Sequence, residues 1–470
     1  MNTKNIGFKR NIIYAFSAQS ISLLLSLTMA LVIPKIIGVE QYGYWQLFLF
    51  YVGYVGYALL GVNDGIYLRI GGQDYKNLNF KKLGANYWIS MFEQLVFATI
   101  AAIVFFGYAD NYERKYVLIA VCIFWIINNA TGFLSSVLQA VNRTYQFSTS
   151  VMIEKSVFLI FLVIVFLFGN IDFKNIIMGY IVSRITAMLY SVYCCRDLVF
   201  GGVHYDKEIF RDRAENIKVG AVLLISGVVS VLILGVGRQI IDWHWGVETF
   251  AIVSFSLSMT NFFLQFINQI GMVMFPMLRI ITDSKKLEVY QIARVILSHL
   301  LTGILILYIP LVSILEIWLP EYQTSFRYLI FTLIICIFDG KMQMLFSTYM
   351  KVLRKERALL IINIASLAVS IALCFISAYV FNNFSMVVLC MALAIVIRSV
   401  ISEIYIGSIL NRKFYKLLIM EIALAAIFIA ITWLHAGIKS FIIYFVIYSI
   451  SLYIDKNKLK EAVKYIVGRR

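Results

Sequence analysis

The stretch "IIGVEQYGYW", Ile36–Trp45, sits between two long apolar runs near the beginning of the chain, and "HWGVETFAIV", His244–Val253, sits between two more far downstream. Gly-Val-Glu recurs at Gly38-Val39-Glu40 and Gly246-Val247-Glu248, followed each time by a polar residue and then an aromatic one. A short polar interruption between apolar runs reads as a turn between spans. Its recurrence at two such places points to a duplicated helical unit.

The surrounding composition sets the class. Of 470 residues, 61% are hydrophobic and 14% charged, against roughly 25% charged in a soluble domain. Four prolines and 27 glycines leave the apolar runs mostly unbroken. A bilayer core of about 30 Å needs roughly 20 apolar residues per helix, and successive runs of that length cover almost the whole chain. The expectation is an all-α polytopic membrane protein of about fourteen spans: 11–33, 44–66, 85–106, 116–138, 150–168, 175–194, 217–236, 249–273, 290–315, 326–349, 358–380, 385–407, 415–434 and 437–454. The net charge of +16 falls in loops and tails, which reads as cytoplasmic anchoring and not as nucleic-acid binding. Cys122, Cys194, Cys195, Cys336, Cys374 and Cys390 form no Cys-x-x-Cys, so they read as small apolar residues without disulfide or metal. The first run is too long for a signal-peptide core and lacks an Ala-x-Ala exit.

Loop charge tests the count. Alternate segments carry Lys4, Lys9 and Arg10; Arg69, Lys76, Lys81 and Lys82; Arg143; Arg196 to Lys218; Arg279, Lys285 and Lys286; Lys351 to Arg357; Arg412 to Lys416; and the tail from Lys456. The other set holds only Lys35, Arg114, Lys115, Lys174, Arg238, Arg327 and Lys439. A missed span would invert the pattern, so both termini are expected in the cytoplasm. "GVEQYG" then follows span one and "GVETFA" follows span seven, both on the outer side. The repeat is parallel with a unit of six spans, an arrangement known in transporters. The expected layout is an N-terminal lobe over 1–200, a cytoplasmic linker at 201–216, a C-terminal lobe over 217–407 related to the first by a pseudo-two-fold axis, and two further helices with a basic tail over 408–470.

Several stretches resemble a known family. "MALVIPKIIGVEQYGYWQLFLF", "LLGVNDGIYLRIGGQDY", "IDWHWGVETFAIVSFSLSM" and "VMFPMLR" are similar to the first, second, seventh and eighth spans of the polysaccharide transporter (O-antigen flippase) branch of the multidrug/oligosaccharidyl-lipid/polysaccharide superfamily, the MOP flippases. The resemblance implies a MATE-like fold of two six-helix bundles, often with two C-terminal helices. It also implies a flippase that moves polyprenyl-diphosphate-linked oligosaccharide repeat units to the outer face of a bacterial cytoplasmic membrane. On that reading the protein is not an enzyme and needs no cofactor. Its partners are the lipid-linked oligosaccharide, membrane lipids, H+ or Na+, and polysaccharide polymerase machinery.

Ionisable groups within spans cost about 3 kcal/mol or more and face protein or a watery cavity. Arg184, Asp339 and Lys341 are the deepest here and Arg398 lies in span twelve, while Arg294, Glu403 and Glu421 lie within two turns of an expected edge and read as snorkelling. Asp339 and Lys341 are two residues apart, so they point to different sides of one helix and do not pair with each other. A diphosphate wants cations, and Arg184, Lys341, Arg398 and Arg69 are the candidates. Asn261, Gln265, Asn268 and Gln269 form one face of span eight, with Gln19 on span one. Carboxamides supply both donor and acceptor to sugar hydroxyls, and the alternative for this face is interhelical bonding. Asp64, Glu93 and Asp339 are candidates for a coupled ion. Arg238 and Asp242, at i and i+4, read as an exposed pair or an outer gate. There is no Gly-x-x-x-x-Gly-Lys-Ser/Thr, hence no P-loop hydrolysis of nucleotide. The rival readings are a drug exporter, whose cavity would be richer in carboxylates; a lipid II flippase, whose family usually carries an Arg-Asp pair in span one; and a membrane-embedded oligosaccharide polymerase or acyltransferase, which the short outer loops and scattered histidines disfavour.

Overall fold

The computed structural model describes residues 3–109, 111–169, 171–202, 207–280, 283–412, 414–434 and 437–466. Among the described residues every regular element is helical, as long unbroken apolar runs require in lipid, where backbone polar groups must be satisfied within each span. The chain divides into two compact units, Met1–Val228 and Val229–Arg470. The first holds α1 (Thr3–Leu27), α2 (Ile33–Val55), α3 (Val62–Ile70), α4 (Phe80–Tyr108), α5 (Tyr112–Ala140), α6 (Thr144–Phe168), α7 (Phe173–Cys194), the short α8 (Arg196–Val199) and the start of α9 (Lys207–Ile280). The second holds the rest of α9, then α10 (Asp283–Ile304), α11 (Tyr308–Trp318), α12 (Gln323–Lys341), α13 (Ser347–Val352), α14 (Glu356–Phe375), α15 (Phe384–Ile409), α16 (Tyr415–Leu434), α17 (Ile438–Ile454) and α18 (Lys456–Ile466).

The two copies of Gly-Val-Glu mark the same structural event. The helical run Phe16–Leu59 is 44 residues long, about 66 Å at 1.5 Å per residue and twice the hydrocarbon thickness. It is broken at Gly38, with φ 74° and ψ 174°. The run Lys207–Gln265, of 59 residues, is broken at Gly246, with φ 84° and ψ −178°. Only glycine adopts this region without strain. The outer loops expected there are therefore single-residue breaks between helices. Eleven helices among the described residues are long and apolar enough to cross a membrane. Two of them are these broken runs, and α17 meets α18 at a 69° bend. The fourteen expected spans fit this arrangement.

Elsewhere, side-chain caps set the helix starts. Asn79, Asn111 and Asn383 each accept a hydrogen bond from the backbone N–H three residues on, at 3.1, 2.8 and 3.2 Å, which satisfies one of the orphan donors of each first turn. Large aliphatic and aromatic side chains such as Ile103, Leu167, Phe168 and Ile317 are exposed, while many charged ones are buried. That inversion of the soluble pattern is what a lipid environment selects.

In the first unit α5 is central, packed on α2, α3, α4 and α7, while α6 joins α1 and α7. Trp45, Phe48, Phe124, Phe158 and Tyr180 interlock in its core, with ring centroids 5.1–6.1 Å apart. In the second unit α12 packs on α10, α15 and α16 and is buried on every side. The expected linker at 201–216 is partly helical, because α9 already begins at Lys207. Its start lies backbone to backbone against α3. A β-carbon at Gly65 would fall 2.1 Å from the Asn216 carbonyl oxygen, and one at Gly220 would fall 2.1 Å from that of Gly61. This contact draws the residues up to Val228 into the first unit.

Candidate functional site

Three buried charge clusters organise the two units, and each is built by helix faces that the sequence places in apolar surroundings. In the first unit, Arg184 on α7 donates through Nη1 to Glu154 on α6 and through Nη2 to Oδ1 of Asn128 on α5, the latter at 2.9 Å. Lys155 lies 2.6 Å from the other Glu154 oxygen. Beside this cluster runs an amide chain: Asn129 donates to Gln94 Oε1 at 2.8 Å and to the Val55 carbonyl at 2.9 Å, and Trp125 donates to Gln94 at 2.8 Å. Arg184 and Lys155 keep 19% and 21% of their side chains exposed against 6% for Glu154. Arg184 Nε has no hydrogen-bond partner. Two cations thus share one carboxylate, which leaves an excess positive charge among partly buried groups of the span region.

The second unit is balanced instead. Arg398 on α15 donates to Asn363 on α14 at 2.8 Å, to Asp339 on α12 at 3.3 Å, and to Ser230 on α9 at 2.8 Å; Gln343 also donates to Asp339. Nearby, Arg294 on α10 donates to Glu403 on α15 at 2.7 Å and to both oxygens of Glu421 on α16 at 2.6 and 2.8 Å. Lys341 donates to Glu421 and lies 3.7 Å from Glu403. Arg294, Glu403 and Glu421 are buried, so they do not snorkel. Their helices enclose them, and each cation finds an acid on a neighbouring helix, which offsets the cost of burial. Asp339 and Lys341 indeed pair with different helices.

The two units share a pattern. In each, an arginine on the sixth span of the repeat, Arg184 or Arg398, is held by residues on the fourth span, Asn128 or Asp339, and on the fifth, Glu154 or Asn363. The carboxylate and the amide have exchanged helices. One acid per arginine is kept, and its position is not.

The remaining expected positions scatter. Arg69 lies at the end of α3, 2.9 Å from Asp212 and 3.3 Å from Glu215, and donates to Asn216 at 2.7 Å. Glu93 accepts from Arg213, which also donates to Ser90 at 2.9 Å. Asp64 is exposed in the first turn of α3, where it complements the helix dipole. Gln19 is half-buried on α1, Asn261 is exposed and Gln265 half-buried on α9; the Asn268 and Gln269 side chains lie outside the described residues. The expected Arg238–Asp242 pair is not exposed, since Arg238 is half-buried and Asp242 buried. Arg238 donates to Ser254 at 3.0 Å and stacks over Phe250 at 4.9 Å, which ties together the two sides of the Gly246 break, and Asp242 is buried. Glu154, Lys155, Asn128 and Arg213 were missed by sequence reasoning. The signal available was the Glu-Lys pair beginning an otherwise apolar span.

Neither a family model nor a curated protein matches the sequence. Solved structures do. A lipid II flippase MurJ in an inward closed conformation superposes with a TM-score of 0.65 at 13% identity, over 95% of this chain and 99% of that one. The fold is that of MOP superfamily transporters. An inward-facing multidrug resistance MATE family transporter of the MOP superfamily gives a TM-score of 0.63 at 12% identity, over 85% of this chain and 98% of that one. A MOP superfamily transporter from Pyrococcus furiosus, described as having a binding pocket of reversed polarity, gives 0.51 at 12% identity, over 87% and 96%. The eleven helices long and apolar enough to cross a membrane make this a multi-pass membrane protein, and the three solved structures named are of transporters.

Proposed function

We propose that this protein is a flippase that carries a polyprenyl-diphosphate-linked oligosaccharide from the cytoplasmic to the outer leaflet of a bacterial cytoplasmic membrane by alternating access. The observation that carries the reading is the excess positive charge at Arg184 and Lys155, set beside the amides Asn128, Asn129 and Gln94. Guanidinium and ammonium groups suit phosphate oxygens, and amides suit sugar hydroxyls. Lys341 and Arg398 are matched one for one by carboxylates, so the phosphate role falls on Arg184 and Lys155. Coverage supports the choice among MOP chemistries. The flippase neighbour spans 95% of this chain, whereas the MATE exporter spans 85%, a shortfall of about the size of α16 to α18.

The test is made in the bacterium of origin with the gene removed. Lipid-linked repeat units that accumulate on the cytoplasmic leaflet, and that wild type but not an Arg184→Ala/Lys155→Ala variant moves outward, support the proposal. Units already outside but unpolymerised point instead to the membrane-embedded polymerase.

A further inference from the structure

The four-charge cluster of the second unit contains one acid that is not fully used. Glu421 accepts from Arg294 through both oxygens and from Lys341 as well. Glu403 accepts through Oε1 alone, from Arg294 Nε at 2.7 Å. Its Oε2 is buried with no hydrogen-bond partner, and Lys341 Nζ stays 3.7 Å away, beyond hydrogen-bond range. Such an orphaned acceptor normally costs about 1–3 kcal/mol, more when charged, and a buried one in a native structure calls for an explanation.

Glu403 also forms part of the wall of a cavity of about 460 Å³ between the end of α15 and the start of α16, with Ser408, Asn411, Arg412 and Tyr415 on its other sides. Arg412 and Phe414 bound this end, the side that loop charge assigns to the cytoplasm. The cavity therefore brings water beside the residue that carries the one carboxylate oxygen of the cluster accepting no hydrogen bond. From the packed elements, the charged or titratable groups facing Glu403 are Arg294 and Tyr290 on α10, Lys341 on α12, Glu421 on α16, and Arg412.

We propose that Glu403 is a proton-binding site, loaded from the α15–α16 cavity, that links protonation to the packing of α10, α12, α15 and α16. With Glu403 ionised, two cations face two carboxylates and the cluster is neutral. A proton taken from water onto Oε2 leaves Arg294 and Lys341 facing Glu421 alone. The cluster then carries one uncompensated positive charge, which buried surroundings disfavour and which hydration through the cavity relieves. Proton uptake thereby favours a looser arrangement of these four helices. This deepens the transport reading by naming the coupled ion and its site, but the site itself is testable without any substrate.

The experiment is infrared difference spectroscopy of the full-length protein in lipid nanodiscs, acidified stepwise from neutral pH. Above the band that the other carboxylates give, one further protonated-carboxyl component should grow in wild type and be missing from Glu403→Gln. Glu421→Gln removes a neighbouring negative charge, which favours the ionised form of Glu403, so the band should appear at lower pH. Ser408→Phe keeps every charge but fills the cavity, and should slow the band's appearance severalfold after a pH jump. A Glu403→Gln spectrum identical to that of wild type overturns the proposal, as does a component unmoved by both other variants. Should Glu403→Gln not fold, the Glu421→Gln shift and the Ser408→Phe rate decide alone. A positive spectrum in a protein that fails the leaflet assay would sink the flippase reading and leave the proton site standing.

Discussion

The exchange of acid and amide between the two arginine clusters can be tested by repeating it. In the first unit Glu154 on α6 neutralises Arg184, and Asn128 on α5 lies 2.9 Å from Arg184 Nη2. In the second unit the acid is on the α5 counterpart, as Asp339, and the amide on the α6 counterpart, as Asn363. Glu154→Gln should leave two cations with no carboxylate. Removing one partner of a buried pair costs about 3–5 kcal/mol. The 19% and 21% exposure of Arg184 and Lys155 admits some water, so the expected loss is about 2–3 kcal/mol. Asn128→Asp placed on that background puts a carboxylate oxygen where the Arg184 hydrogen bond already is. It reaches Arg184 but not Lys155, so it should restore about half of the loss. Unfolding in mixed micelles by stepwise addition of sodium dodecyl sulfate, followed by tryptophan fluorescence, measures the series. A double variant no more stable than Glu154→Gln would refute the equivalence of the clusters. So would a single variant within about 0.5 kcal/mol of wild type, the range of ordinary surface substitutions.

Other expectations follow from single positions. Gly246→Ala forces a β-carbon into φ 84°, a strain of about 1–3 kcal/mol, and should lower thermal stability measurably; Gly53→Ala, where a β-carbon meets open space, should leave it unchanged. Gly220→Ala drives a β-carbon to 2.1 Å from the Gly61 carbonyl oxygen, and the overpacking should reduce the yield of monodisperse protein on gel filtration. Burial pushes the Cys195 thiol up to about 12. It is thus held protonated up to alkaline pH, with about ten-thousandfold less thiolate than thiol at pH 8, and mass spectrometry should find it unmodified by maleimide until the protein unfolds.

Much of the fold is legible in the sequence because the bilayer simplifies the code. A span must be about 20 apolar residues long and helical, so hydropathy and loop charge alone produce a fourteen-span layout. The repeat is legible at Gly38 and Gly246 for a different reason. A backbone with positive φ and ψ near 180° admits only glycine, so a structural demand becomes a letter. The depth of a charge along a helix is also written in the sequence, and Arg184, Asp339 and Lys341 are recognisable from it as lying within their spans.

The partners of those charges are another matter. Arg294 and Glu421 lie near span ends, where a long side chain can reach water, and only the packing of α10, α12, α15 and α16 shows that they do not. Lys155 is a residue like many others at the start of an apolar run until α5, α6 and α7 bring Arg184 to the same carboxylate. Arg238 reaches Ser254, sixteen residues on, because the break at Gly246 brings that segment within reach. Hydropathy is a property of one helix and is set locally. Charge compensation is a property of helix pairs, decided by which faces meet, and the three-dimensional arrangement alone settles which cations in this protein remain in excess.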